Sequence, residues 1–299
     1  MHGILLIDKP AGLTSHDVVQ QVRRLCGTRK VGHAGTLDPM ATGVLVVAVG
    51  DGTKILQFLH ADNKSYRATF RLGLTTDTLD ITGEVLQERA LPSDCPERLT
   101  QVCAGFRGEI EQVPPMFSAL KKNGVPLYKL ARKGEEVERK ARPVTIERLE
   151  ITAIDLPYVT IEVDCSKGTY IRSLIDDIGA ALGCGACLTA LRRLRSGRFR
   201  LEDCLDWQQI QQASPSGMVS LPEALGDLAA VQVIESATVT LAHGIPPTLE
   251  EVEGALQLEV GELVRITSHG QLAAIGRFDP SRSEEKRGDF KLIRVFLTS

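Results

Sequence analysis

The sequence predicts an α+β protein: a larger N-terminal unit, followed by a small β-rich unit. Three observations carry that reading. Strand-like and helix-like segments mix without a strict strand–helix–strand rhythm, which argues against a doubly wound parallel sheet. Around residues 206–230 the pattern changes, and the segments beyond it are short and strand-like. At 299 residues the chain is long enough for two well-buried cores. The division is placed at 225/226, giving units 1–225 and 226–299.

The elements follow in order. "GILLID" (Gly3–Asp8) reads as a short buried strand. Ser15 is a cap for a helix through "HDVVQQVRRLC", whose apolar residues recur at helical spacing. "VLVVAV" (Val44–Val49) is a buried strand, and "YRATFRLG" (Tyr66–Gly73) alternates with period two. A helix is expected from Pro96 to Phe106, then strands over Glu147–Ile154 and Val159–Cys165. After Tyr170, "IRSLIDDIGAAL" is an amphipathic helix, and "QQIQQASPSG" reads as a polar connection. "LVRITS", "LAAIGRF" and "KLIRVF" are the strands of the second unit.

Composition narrows the function classes. The chain is 43% hydrophobic and 24% charged, with no apolar run long enough to span a membrane, so a cytoplasmic protein is expected. Of the seven cysteines, Cys184 and Cys187 form one CxxC that lacks the second ligand pair zinc needs, so core thiols and no metal are expected. The net charge of −3 hides a split: residues 201–299 carry −8, and the first two hundred carry +5. Three basic clusters stand out. Arg23–Lys30 has four Lys/Arg, Leu191–Arg200 has five arginines, and residues 121–142 have eight Lys/Arg against three Glu. Together they point to a phosphate backbone as partner. No Walker A loop, GxSxG elbow or HExxH motif is present.

One carboxylate draws the chemistry. "GHAGTLDPMATGVLVVAVGDGTK" (Gly32–Lys54) crowds glycines and Pro39 around Asp38. An Asp-Pro pair often caps a helix, yet here turn and strand follow, so the pair stiffens a loop instead. A second polar site falls where a strand gives way to a helix, at Tyr170 and Arg172. An arginine beside Asp38 would lower its pKa and grip it with bidentate geometry. "TTDTLDITG" (Thr75–Gly83) reads as a polar hairpin, its two aspartates offering a weaker cation alternative.

Six separated stretches now carry a resemblance. They are "LLIDKPAGLTSHDVV", "KVGHAGTLDPMATGVLVVAVGDGTK", "KSYRATFRLGLTTDTLDITGEV", "QVPPMFSALKKNGVPLYKLARKG", "CSKGTYIRSLIDDIG" and "LTALRRLRSGRF". In this order they resemble the TruB-type tRNA pseudouridine synthases, the bacterial family acting on uridine 55 of the TΨC loop. The resemblance implies Asp38 as the catalytic aspartate, Tyr66 stacking on the target base, and Arg172 pairing with the carboxylate. It implies Tyr170 and Leu191 lining the pocket and His33 holding space where the base leaves the loop. Lys9 with Pro10 would support the active-site loop, and Lys9 is counted with His33, Tyr170 and Leu191 on the substrate-binding side. The implied fold is an α+β catalytic domain on a mixed sheet with a central cleft, residues 121–142 forming a thumb over RNA and 226–299 a small PUA-like domain. The implied partner is tRNA through its TΨC stem-loop, with no cofactor and no obligate protein partner; a monomer is expected because the sequence shows no heptads or apolar interface stripe. The reaction is an isomerisation and calls for neither redox nor energy input. The glycines near Asp38 are expected to admit RNA backbone closely. Two other readings stay open: a catalytically silent RNA-binding or RNA-folding protein on the same scaffold, and a guide-RNA-dependent pseudouridine synthase.

Overall fold

The computed structural model describes residues 1–59, 63–212, 217–254, 257–281 and 288–297. Nine strands form the main sheet. Its path runs Gly3–Lys9, Thr42–Val49, Ala186–Ser196, Lys64–Leu72, Tyr158–Cys165, Arg142–Asp155 and Gly108–Gln112. Every neighbour along it is antiparallel except one: Ala186–Ser196 meets Thr42–Val49 in parallel, over Arg192–Thr42 and Arg193–Gly43 alone. Two half-sheets therefore meet at a narrow seam. Gly43 makes the seam possible, since with φ +102° it sits where a Cβ would lie 2.2 Å from the Arg193 carbonyl oxygen.

A helix packs on each half. Ser15–Leu25 presents Val18, Val19 and Val22 to a core with Leu5, Ile7, Leu45 and Val47. Ile171–Leu182 buries Leu174, Ile175 and Ile178 against Phe70, Leu188 and the helix Cys95–Gly105. A second sheet runs Val252–Glu253, Ala229–Val233, Leu263–Ser268, Gln271–Phe278 and Phe290–Val295. Leu272 and Ile275 from it share a core with Ile4, Leu6 and Phe199 of the first unit. Among the described residues no helix is long and apolar enough to cross a membrane.

Two expectations need correction. Thr14, not Ser15, caps the first helix: its hydroxyl accepts from the Asp17 amide while Asp17 bonds back to the Thr14 amide. Ser15 is thereby free to reach another loop. Trp207–Gln212 is a short helix where a polar connection was expected, and residues 213–216 lie outside the described residues. The arginine-rich stretch 191–200 lies largely in strand, within Ala186–Ser196 and Phe199–Arg200.

Candidate active site

Asp38 sits at the far end of a wide hairpin between Val31–Ala34 and the strand Thr42–Val49. The loop is stiff because four separate groups hold its backbone. Within it, the Ala41 amide donates to the Asp38 carbonyl at 3.0 Å, closing a turn around Pro39. Ser15 Oγ accepts from the Leu37 amide at 2.8 Å and donates to the Leu37 carbonyl at 3.1 Å. The Gly12 amide donates to the Pro39 carbonyl at 2.8 Å. Lys9, fully buried, donates Nζ to the carbonyls of Pro10 (2.8 Å), Leu13 (2.7 Å) and Pro39 (3.3 Å). Burial brings the Lys9 ammonium down to about 8, with nearby Arg193 adding to the drop and Asp38 opposing it.

Arg172 grips the carboxylate itself. Its Nε lies 2.9 Å from Asp38 Oδ2 and its Nη2 donates to Oδ1 at 3.1 Å, a two-pronged pair. The rest of the guanidinium is tied to the carbonyls of Thr78 (2.9 Å) and Phe117 (2.7 Å), with Asp80 Oδ2 at 3.7 Å. A cation in the first turn of Ile171–Leu182 opposes the helix dipole, and these two carboxylates supply the countercharge. Tyr170 holds the N-cap position without a side-chain cap. The buried Gln112 clasps its backbone instead, accepting from its amide at 2.7 Å and donating to its carbonyl at 3.0 Å.

The electrostatics differ from expectation at one point. Burial, reinforced by Asp80, outweighs Arg172 and raises the Asp38 carboxyl above its ordinary value. Arg172 and Lys9 pull the other way and limit the rise. The side chain of Asp38 is still 32% exposed, against 4% for Arg172, so the carboxylate alone of the pair faces outward. Burial likewise raises the Tyr66 and Tyr170 hydroxyls, opposed at Tyr66 by Arg193 and at Tyr170 by Ser118 and Arg172.

Residues 23–171 match the family described as "TruB family pseudouridylate synthase (N terminal domain)", and residues 172–226 match "tRNA pseudouridylate synthase B C-terminal domain". A protein of Syntrophotalea carbinolica named tRNA pseudouridine synthase B is 48% identical across 99% of this chain and 98% of its own length. The chain belongs to the TruB family of pseudouridylate synthases. It is therefore an isomerase of that family. The namesake from Pseudomonas aeruginosa strain UCBPP-PA14 is 43% identical over 94% of this chain and 95% of its own. Among solved structures, the archaeal box H/ACA sRNP Nop10–Cbf5 complex superposes with a TM-score of 0.74. The identity is 28%, with 99% of this chain and 86% of that one covered.

Within this TruB-family fold the site residues fall into two groups. Asp38, Arg172 and Tyr170 meet around one guanidinium and the helix it begins. Tyr66 and Leu191 share a core with Leu37 and Ala41, beneath the loop, and Tyr66 is only 7% exposed. Lys9 is wholly internal and bonds carbonyls of the loop from within. His33 lies on Val31–Ala34 opposite Val47, at the entry to the loop. Gly43 makes room for Arg193 rather than for RNA, which corrects that expectation.

Three contributors were not singled out from sequence. Asp80 is the second carboxylate on Arg172; it accepts from the Thr78 hydroxyl and from the Thr82 amide and hydroxyl, which organises the 76–83 turn. Its signal was present in the polar hairpin, whose role is loop architecture. Gln112 has no sequence signal, as any strand-end glutamine reads the same. Arg193 was read as part of a surface charge cluster and is buried at 1% exposure.

Proposed function

We propose that this chain isomerises uridine 55 in the TΨC loop of tRNA to pseudouridine, with Asp38 as the catalytic carboxylate. The observation that carries the reading is the Asp38–Arg172 pair: a carboxylate on a four-way braced loop, gripped from behind, with its free edge outward. The reaction breaks N1–C1′, turns the uracil, joins C1′ to C5 and returns the C5 proton's equivalent to N1. Asp38 either bonds to C1′, as carboxylates do in retaining glycosidases, or takes the C2′ proton to give a glycal. The target base must leave its stack before C1′ is accessible, and an aromatic face such as that of Tyr66 suits an extruded base.

Arg172 keeps the carboxylate aimed and ionised against the upward pull of burial. Tyr170, Leu191 and His33 are assigned to the substrate side of the site. The exposed basic residues of 121–142 suit an RNA backbone, and we place the division between units at 225/226, ahead of the strand Ala229–Val233. A stand-alone enzyme is favoured over a guide-dependent one, because identity is 48% to the tRNA synthase and 28% to the H/ACA protein. Free thiols at all seven cysteines suit a reducing cytoplasm.

The test is incubation of the purified chain with unmodified tRNA transcript, followed by carbodiimide treatment and primer extension. One new stop in the TΨC loop is expected. A stop elsewhere, or activity that appears only with an added guide RNA, contradicts the reading.

A further inference from the structure

Arg193 is the largest fully buried side chain among the described residues, and no ion pair with a carboxylate accounts for it. A guanidinium withdrawn from water without a counterion is costly, and an apolar side chain would ordinarily replace it. What it does with its donors is specific. Nε donates to the Val44 carbonyl at 2.7 Å and Nη2 to the Gly35 carbonyl at 3.2 Å. Gly35 and Val44 are the two arms of the loop that carries Asp38, so one planar group joins both. The same residue stands directly opposite Tyr66 across the antiparallel pairing of Ala186–Ser196 with Lys64–Leu72. Its charge reaches the Tyr66 hydroxyl there and works against the effect of burial on that phenol. Gly43 is cut back to a hydrogen so that the Arg193 backbone can approach.

We propose that Arg193 is a positioning residue, which fixes the Asp38 loop relative to Tyr66 and supplies the Tyr66 hydroxyl with a buried positive neighbour. A flexible ammonium cannot serve both carbonyls and a phenol with one rigid plane, which explains why arginine is found there. The inference rests on the reading of Asp38 and Tyr66 given above.

Arg193→Gln and Arg193→Lys are compared with wild type for single-turnover pseudouridine formation across pH, and for tRNA binding. Far-ultraviolet circular dichroism checks that each is folded. The expected result for Arg193→Gln is a rate at least tenfold lower with tRNA affinity within twofold of wild type. The limb of its pH–rate profile that reports the phenol moves upward, because a cation has been removed beside it. Arg193→Lys, which keeps charge without the fork, is expected to lose rate while holding that limb in place. A profile lowered equally at every pH, or a rate loss matched by lost affinity, overturns the proposal in favour of a purely structural arginine. If Arg193→Gln does not fold, Arg193→Lys decides by its rate against its affinity; failure of both to fold assigns Arg193 to the fold alone. Asp38→Asn is run in parallel: turnover by that variant sinks the underlying assignment of Asp38, whatever Arg193 does.

Discussion

Arg23–Lys30 and Leu191–Arg200 look alike on paper, each a short run dense in arginine, and the fold treats them oppositely. In the second run four of the five arginines bond other groups of the protein, and Arg200 stays exposed. Arg192 makes a two-pronged pair with Asp8, Arg193 ties the Asp38 loop, Arg195 bonds Ser65 and the Gly197 carbonyl, and Arg198 bonds the Glu223 carbonyl. In the first run Arg23, Arg24 and Arg29 line an open cavity of about 410 Å3 with Gln20, Gly27 and Thr28. Arg23 there donates to the Val31 carbonyl at 3.1 Å. The difference lies in the backbone beneath. A strand at a sheet seam has carbonyls that need donors, whereas the last turn of a helix and its following loop face water. Charge density in a sequence therefore marks where cations are, and topology decides whether they meet RNA or hold the protein.

That contrast can be broken from either side. The largest expected effect is on stability at the seam: Arg193→Ala leaves two carbonyls without donors and a cavity, a loss of about 3 kcal/mol by urea unfolding. A loss under about 0.5 kcal/mol would mean the clasp is ornamental. Lys9→Met, the companion buried cation under the same loop, is expected to cost about 2 kcal/mol. It also carries a pH signature. The folded ammonium titrates near 8 and the unfolded one near 10.5, so the unfolded chain binds more protons between those values. Wild-type stability should therefore gain with pH through that window relative to Lys9→Met; parallel pH curves for the two proteins would contradict this.

Smaller effects sharpen the comparison. Because Asp8 and Arg192 are partly exposed, a double-mutant cycle between them should return about 1 kcal/mol or less, and additivity would show that the pair contributes nothing. Arg24→Glu with Arg29→Glu should shift stability by no more than about 0.5 kcal/mol. The same pair should weaken tRNA binding and flatten its salt dependence by roughly 0.7–0.9 in log–log slope for each phosphate no longer neutralised. Unchanged affinity and slope would remove Arg23–Lys30 from the RNA surface.

How much of this was legible beforehand follows the same physics. The helix Ile171–Leu182 coincides with its sequence expectation, because its apolar spacing is a local signal and Gly183 at φ +85° ends it. The Asp38 loop was legible for a similar reason, as Pro39 and the glycines act through their own backbones. The strand Ala186–Ser196 was hidden, since its arginines broke the apolar alternation that announces a strand. Which of them turns inward depends on Gly35 and Val44, about 150 residues earlier, and no window of sequence contains both. The second carboxylate on Arg172 was hidden likewise, and so was the net upward shift of Asp38, which burial and Asp80 set together.

Asp38 as the reacting carboxylate is the central assignment, and single-turnover conversion of tRNA by wild type and Asp38→Asn tests it most directly. Asparagine keeps the shape and can still accept from Arg172, but it can neither bond to C1′ as a carboxylate nor take a proton from C2′. The expected result is tRNA binding within about threefold of wild type and a rate reduced by at least about 10⁴. Pseudouridine formed by Asp38→Asn at a rate near that of wild type would contradict that assignment.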